Sequence, residues 1–350
     1  MVRARWTPSW SSWSSGPRTG APLPRRPPDP PLAAASVGAV ITRALGIVLG
    51  VAADAVLGDP ARHHPVAWFG SFAGRVEQPL YADDRARGAA FTAATVAPVL
   101  AAGVVAERAT RRHPVAHLAA TALATWAVLG ARSLAREGRL MAERLDEGDL
   151  DGARARLGHL CGRDPAGLDE PELARATVES MAENTADAVV ASLFWGAVAG
   201  IPGLLAHRAV NTLDAMVGHR NDRYARFGTA SARLDDALDY IPARITGALA
   251  CVAAPVVGGS TAEAWRVLRR DARNHPSPNG GWCEAAWAGA LGVQLGGRNV
   301  YFSRVEERGL LGDGPRPRAA EVRRAARLVG VVTAMATGLA AAASMRRCPR

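Results

Sequence analysis

The chain contains no lysine: all 42 basic residues among its 350 are arginine. That absence excludes a Walker A loop, whose lysine reaches the terminal phosphates. It also excludes every Schiff-base mechanism, pyridoxal-phosphate chemistry included, that needs a lysine amine. Cysteine is scarce as well. Cys161, Cys251, Cys283 and Cys348 form no close pair and no CxxC, so neither a zinc knuckle nor a disulfide framework is indicated, and a reducing, cytosol-facing chemistry is compatible. Aromatic residues make up 5% of the chain against 49% hydrophobic residues, so the apolar content rests on small aliphatic side chains. The formal charge of +10 is carried by arginine among abundant Ala, Gly and Pro, as a GC-rich coding bias would give, and no nucleic-acid partner is expected from it.

This length would ordinarily suggest two soluble domains, but the apolar residues collect into long uncharged blocks. The mean hydropathy of 0.00 does not oppose membrane insertion, because arginine-rich connections average the blocks away. Uncharged stretches at 88–106, 113–131, 188–207, 245–262 and 328–345 each approach the ~20 residues a helix needs to cross a bilayer. A sixth, 37–57, is interrupted by Arg43 and Asp54. The fold class expected is all-α, a polytopic helical membrane protein with about five or six apolar helices and helical polar loops. A soluble all-α protein is the rival, but five or six such segments are harder to bury in one soluble core than in lipid, where helices satisfy their own backbone. Arginines in nearly every loop leave orientation undecided. Residues 1–36, with Trp6, Trp10 and Trp13 among Ser, Pro and Arg and a proline-rich run from Pro22 to Pro31, read as a disordered extension without the apolar core of a signal peptide. Residues 37–350 read as one membrane-embedded domain.

Polar islands lie between the apolar blocks. The longest predicts a helix through Leu145, a turn at 147–149, a second helix to about Leu160, a break at 161–165, and a third helix capped by Asp169 with Glu172 three residues on. On that third helix Glu179, Glu183 and Asp187 recur at four-residue spacing with Asn184 beside them. Stacked like charges cost stability without a cation, so the segment suggests Mg²⁺, an amine or a guanidinium partner, against the alternative of a solvated acidic face. Further on, Asn211, Asp214 and Gly218 share a helical face. Arg233 and the pair Asp235 and Asp236 precede Arg244; paired aspartates can hold a divalent ion, or an Asp236 or Asp239 to Arg244 ion pair can simply close a helix end. Two loops combine turn residues with reactive groups. One holds Asp59, His63 and His64; the other holds Arg273, His275, Asn279 and Glu284 around an Asn-Gly-Gly turn, able to present donors and acceptors to an anionic ligand.

These islands, in this order, resemble the cobalamin biosynthesis protein family called CobD or CbiB, adenosylcobinamide-phosphate synthase. The stretches that carry the likeness are Leu57-Gly-Asp-Pro with His64-Pro-Val, Glu179-Ser-Met-Ala-Glu-Asn-Thr-Ala-Asp187, Asn211-Thr-Leu-Asp214, Tyr224-Ala-Arg-Phe-Gly228 with Arg233-Leu-Asp-Asp236, Ile241-Pro-Ala-Arg244 and Asp271-Ala-Arg-Asn-His-Pro-Ser-Pro-Asn-Gly-Gly281, covering about residues 40–345. Ala186 and Ala188 stand where Ser and Gly are commoner in the family, and Ala-Ser-Leu follows Val190 where Ala-Pro-Leu is expected. The resemblance implies a multi-pass enzyme of the cell membrane that joins adenosylcobyric acid to aminopropanol or its phosphate through a new amide. The same short name also denotes a pyridoxal-phosphate decarboxylase, which the missing lysine removes.

Condensing a carboxylate with an amine in water is uphill, so the carboxylate must be activated, most simply by ATP. No nucleotide-binding motif is present, and Mg²⁺ and ATP are therefore expectations. Glu179, Glu183, Asn184 and Asp187 are the catalytic candidates, and Asp235 and Asp236 the metal candidates. The residues expected at substrate are His64, Asn211, Asp214, Arg233, Arg244, Arg273, His275 and Asn279. The corrinoid could rest on Trp68, Trp195 or Trp282, which are otherwise interfacial anchors. A corrinoid-binding or transporting membrane protein without ligase activity is the alternative function. One geometric conflict follows: if 188–207 spans, the acidic helix and the Asn211 cluster lie on opposite sides of the bilayer, so either that segment is re-entrant or the site lies between helices within the membrane.

Overall fold

The computed structural model describes residues 32–60, 64–219, 221–301 and 304–346. Residues 1–31, including most of the expected extension, His63 and Cys348 lie outside the described residues. Helices dominate: α1 (Leu32–Leu57), α2 (Pro65–Leu80), α3 (Arg85–Thr110), α4 (Pro114–Val128), α5 (Ala131–Asp146), α6 (Leu150–Leu157), α7 (Glu170–Asn184), α8 (Ser192–Ala199), α9 (Ile201–Val217), α10 (Thr229–Ala253), α11 (Thr261–Asp271), α12 (Gly280–Leu291) and α13 (Ala319–Arg346). A two-stranded antiparallel hairpin, β1 (Leu295–Tyr301) and β2 (Arg304–Leu311), interrupts them and had no counterpart among the expected elements.

Five helical segments are long and apolar enough to cross a membrane: Val40–Leu57, Arg85–Thr110, Pro114–Asp146, Thr229–Val257 and Ala319–Arg346. On α1 the exposed residues Ile41, Leu45, Val48 and Leu49 fall at helical spacing on one face, and Val105, Leu123 and Leu339 expose further apolar surface on α3, α4 and α13. Apolar faces of this kind suit lipid rather than water, and the chain is a polytopic membrane protein.

The apolar block 188–207 is not among the segments able to span. Its helix breaks at Gly200, whose φ of +71° and ψ of −147° end α8 in a backbone region essentially restricted to glycine. The chain then doubles back. Ser192 Oγ lies 3.3 Å from His207 Nδ1, and the backbone at Gly203 crosses so close to Trp195 that an added Cβ would stand 2.2 Å from the Trp195 carbonyl oxygen. The tip is pinned to α3, where Glu107 accepts the Ile201 backbone N–H (3.0 Å) and the Arg43 guanidinium (2.7 Å). This hairpin removes the topological conflict, because α9 returns toward the level from which α7 set out.

The main core lies between α5, α7, α10, α12 and α13, with Met141, Leu173, Met181, Trp287 and Val329 fully buried. A smaller cluster of Phe91, Leu213, Val217 and Phe227 ties α3 to α9 and the turn before α10. Local signals read as expected around α7: Asp169 caps it by accepting the Glu172 backbone N–H at 3.1 Å, and the preceding helices end at Asp146 and Leu157. Less expected is the π-helical turn Thr185–Ala191 that continues α7. π-bulges occur frequently at functional sites, since the extra residue re-aims a side chain, and this one carries Asp187.

Candidate functional site

The α8–α9 hairpin, α10 and the π turn enclose an aspartate cluster. Asn211 and Asp214 are three residues apart on α9, and Asp235 and Asp239 four apart on α10, so each pair shares a helical face. All three aspartates lie close enough to Asp187 to matter: burial, then Asp239, Asp235, Glu183 and Asp214, drive the Asp187 carboxyl well above the usual carboxylate range. Burial raises Asp214 likewise. His207 Nε2 lies 2.7 Å from Asp239 Oδ1, while burial and Arg208 push the imidazole down to about 3, so the ring is neutral. Arg208 donates to Asn211 Oδ1 (3.1 Å), and Asn211 in turn reaches Asp235 Oδ1 at 3.5 Å. Asp59, Asp187 and Asp235 favour the Arg208 cation against a larger desolvation effect. The charge of Asp59 thus ties the first loop to this cluster; the same residue lies 3.5 Å from His64 Nε2, and His64 also caps α2 by accepting the Val66 N–H.

One turn earlier on α7, Glu183 faces a second cluster. Its neighbours are His275 from the loop before α12, Glu284 on α12, Arg308 on β2 and Arg163 from the break before α7. Glu183, His275 and Glu284 each offer a ligand atom within 4.8 Å of the others, the only such group among the described residues. The arrangement is nonetheless filled by protein cations. Arg308 Nη1 lies 3.3 Å from Glu284 Oε1 and 2.9 Å from His275 Nε2, and Nη2 donates to the Tyr301 hydroxyl at 3.0 Å. The Ser277 backbone N–H donates to His275 Nδ1 at 3.1 Å, and Nε2 lies between the Arg308 guanidinium and Glu284 Oε1, which is 3.3 Å away. Burial and then Glu284 raise the Glu183 carboxyl, pushing it up to about 7 despite Arg308, His275 and Arg163.

Glu179, on the same face one turn before Glu183, is differently placed. It is wholly buried, paired with Arg163 and with Arg175 (3.0 Å), and accepts the Gly296 backbone N–H at 2.7 Å. Burial would raise this carboxyl, but the two guanidiniums and the amide hold it down to about 2. Gly296 has φ +76° at the irregular start of the β-hairpin, so Glu179 fastens that hairpin to α7. Asn184 donates to the Ser180 carbonyl at 2.8 Å and to the Ser180 hydroxyl at 3.1 Å.

The other expected residues divide. His275, Asn211 and Asp214 enter the two clusters. Asn279 is buried and bridges, donating to the Asp236 carbonyl (2.8 Å) and accepting from Arg244 (3.2 Å). Arg244 stacks on Tyr240, 3.4 Å from the ring centroid, and on Trp282 at 4.8 Å, rather than closing onto Asp236 or Asp239. Arg233 and Arg273 are exposed and are not brought to either cluster. The buried face of Asp235 is shared by Asp239, whereas Asp236, about 100° further round the helix, is less buried. Asp239, four residues after Asp235, carried a readable signal. Arg308 and Tyr301 carried none, since their convergence depends on a strand register that puts 299, 301, 306 and 308 on one face.

Chemically, the aspartate cluster offers hard oxygen donors beside the Arg208 cation, with Asp187 hydrogen-bonded to Asp239, but its ligand atoms do not all come within 4.8 Å of one another as those of the second cluster do. The second cluster offers a high-pKa carboxylate beside arginines, suited to handling a proton next to an anion.

The sequence model of the CobD/CbiB protein family matches residues 47–329. A protein of Mycobacterium tuberculosis named "Cobalamin biosynthesis protein CobD" is 51% identical over 309 residues, 88% of this chain and 98% of the relative. Proteins of the same name from Geobacter metallireducens (46% identical, 79% of this chain and 89% of the relative) and Rhodobacter capsulatus (41%, covering 79% and 90%) are similar as well. No solved structure matches the chain. With a family match over most of its length and relatives above 40% identity nearly end to end, the chain belongs to the CobD/CbiB family.

Proposed function

We propose that this chain acts in cobalamin biosynthesis as a multi-pass enzyme of the cell membrane, joining the carboxylate of adenosylcobyric acid to the amine of aminopropanol or aminopropanol phosphate. The names of its relatives support the pathway. The observation that carries the chemistry is the partition along α7 and the π turn that continues it: Glu183 and Asp187, four residues apart, face clusters of different character.

Activation of the carboxylate by ATP transfers a phosphoryl group to it and releases ADP. Glu183 then takes a proton from the donor ammonium. The free amine attacks the acyl carbon, the C–N bond forms, and inorganic phosphate leaves with the C–O electron pair. Asp187, Asp214, Asp235 and Asp239 would hold Mg²⁺, which when bound neutralises phosphate charge. Arg308, which donates to Glu284 at 3.3 Å, is placed to donate to developing negative charge.

The test is a coupling assay with purified, detergent-solubilised protein, adenosylcobyric acid, Mg²⁺ and ATP, offered aminopropanol and its phosphate separately. Amide product with either donor is expected. Corrinoid binding without product under every combination would favour a corrinoid-binding or transporting protein.

A further inference from the structure

Two helices that leave the apolar region side by side carry arginines to its edge. The segment Pro114–Asp146 holds 33 residues, about 50 Å of helix, whereas the hydrocarbon of a bilayer is about 30 Å thick. Its surplus is α5, beyond the uncharged stretch 113–131, and there Arg132, Arg136 and Arg139 are exposed on one face. α13 runs beside α5 in the opposite direction: a Cβ added at Gly138 would stand 3.5 Å from the Ala326 Cβ, and Arg323 pairs with Asp146. Arg327 is the last charge on α13 before the uncharged stretch 328–345. Arg132 also donates to the Ala55 and Val56 carbonyls at the end of α1, where Val56 and Leu57 stand exposed, so three helices reach the edge of the apolar region together.

Between α5 and α13 lies a pocket of about 180 Å³ lined by Arg139, Glu143, Arg323, Ala326 and Arg327. Asp146 answers Arg323, whereas Arg139 and Arg327 have no hydrogen bond or ion pair among the described residues. Three arginines against the carboxylates of Glu143 and Asp146 leave positive charge unneutralised where water meets lipid. Below the pocket, Gly330, Ala334 and Gly338 follow Arg323 and Arg327 at helical spacing on the exposed face of α13. A Cβ added at Gly330 or Gly338 would meet nothing within 4 Å, so the face is an open furrow.

We infer that this pocket seats the phosphate headgroup of an anionic membrane phospholipid, with an acyl chain lying along the furrow. Guanidinium forks take phosphate oxygens in pairs, and basic pockets between membrane helices collect anionic headgroups. A furrow of small residues also suits a second helix, but a second copy packed there in parallel would bring the arginines of two chains against one another. The occupant braces α5, whose Gly138 backs onto Met181 of α7, the helix that carries Glu183.

The experiment is native mass spectrometry of the full-length protein released from detergent after exchange with phosphatidylglycerol, phosphatidylcholine of the same acyl chains, or inorganic phosphate. The wild type should retain one phosphatidylglycerol about tenfold more than phosphatidylcholine, and hold phosphate far more weakly. Arg139→Gln and Arg327→Gln together should lower phosphatidylglycerol retention about twentyfold, since each arginine near a bilayer surface is worth about fivefold, and leave phosphatidylcholine unchanged. Gly330→Leu should weaken phosphatidylglycerol retention with the arginines intact, an effect that a site for a free anion would not show. Arg298→Gln, exposed on the β-hairpin, should match the wild type, and monodisperse elution of each variant excludes misfolding. Equal retention of the two lipids, retention undiminished in the double variant, or phosphate held as tightly as phosphatidylglycerol would overturn the proposal. So would a wild-type dimer that Gly330→Leu splits into monomers, which would give the furrow to a second copy of the chain.

Discussion

Glu179 and Glu183 lie one turn apart on α7, and substituting each by glutamine should break different things. Glu179 is wholly buried against Arg163 and Arg175 and receives the Gly296 N–H. Removing its charge leaves two buried guanidiniums uncompensated and points an amide donor at other donors. Breaking a buried pair this way costs about 3–5 kcal/mol, a large share of a typical stability of about 5–15 kcal/mol. Glu183→Gln, by contrast, removes one of two like charges beside Glu284, so stability should stay level or rise. Loss of a positioned general base should slow turnover about 10²–10⁴-fold. Thermal inactivation of a membrane protein is commonly a rate rather than an equilibrium, so the assay is the half-life of monodisperse protein in detergent at a fixed temperature, alongside initial coupling rate per folded molecule. Glu179→Gln should shorten the half-life sharply while the surviving molecules keep activity. A long-lived Glu179→Gln protein without activity, or Glu183→Gln turning over near the wild-type rate, would refute the division between strut and base.

The same two carboxyls set opposite pH dependences. Glu183, raised from 4.5 to about 7, holds its proton longer in the native state, so its contribution makes stability fall as pH rises between those values. Unfolding rates of Glu183→Gln should lack that slope, and wild-type coupling should climb through about pH 7 as the base deprotonates. Glu179, lowered from 4.5 to about 2, contributes stability above pH 4.5 that is lost as pH falls toward 2, which acid inactivation of wild type against Glu179→Gln would show. At the hairpin tip, Gly200→Ala would place a Cβ 2.6 Å from Glu107 Oε2 and 2.8 Å from Arg43 Nη2 at φ +71°. That variant should inactivate faster and couple poorly, whereas Gly74→Ala on α2, with nothing within 4 Å, should be neutral or slightly stabilising. Chelation with EDTA should stop coupling, and excess Mg²⁺ should restore it; activity that persists without divalent cations would remove Mg²⁺ from the aspartate cluster.

Much of this architecture was legible because it depends on local rules. Apolar length located the five spanning segments, and the Asp169 cap with Glu172 located the start of α7. The block at 188–207 was apolar enough to mislead, since hydropathy does not register direction; its glycines were the signal, and Gly200 at positive φ is what turns the chain. Once turned, α9 brings Asn211 and Asp214 back to Asp187, which linear distance could not show.

Four-residue spacing put Glu179, Glu183 and Asp187 together as one acidic row, and the helix does align them, yet their chemistry diverges because their partners come from elsewhere in the chain. Glu179 is claimed by Arg163 and by the backbone of Gly296, 117 residues away. Glu183 meets Arg308, whose presence rests on the register of a hairpin that no alternation of polar and apolar residues announced. Asp187 faces chiefly other carboxylates, Asp239, Asp235, Glu183 and Asp214, with the Arg208 cation nearby. A row of identical charges is therefore sorted into strut, base and metal-seeking acid by what tertiary structure sets opposite each one. Helical periodicity fixes which side chains share a face. What they confront, and so what they do, is decided by the hairpin and the returning helix.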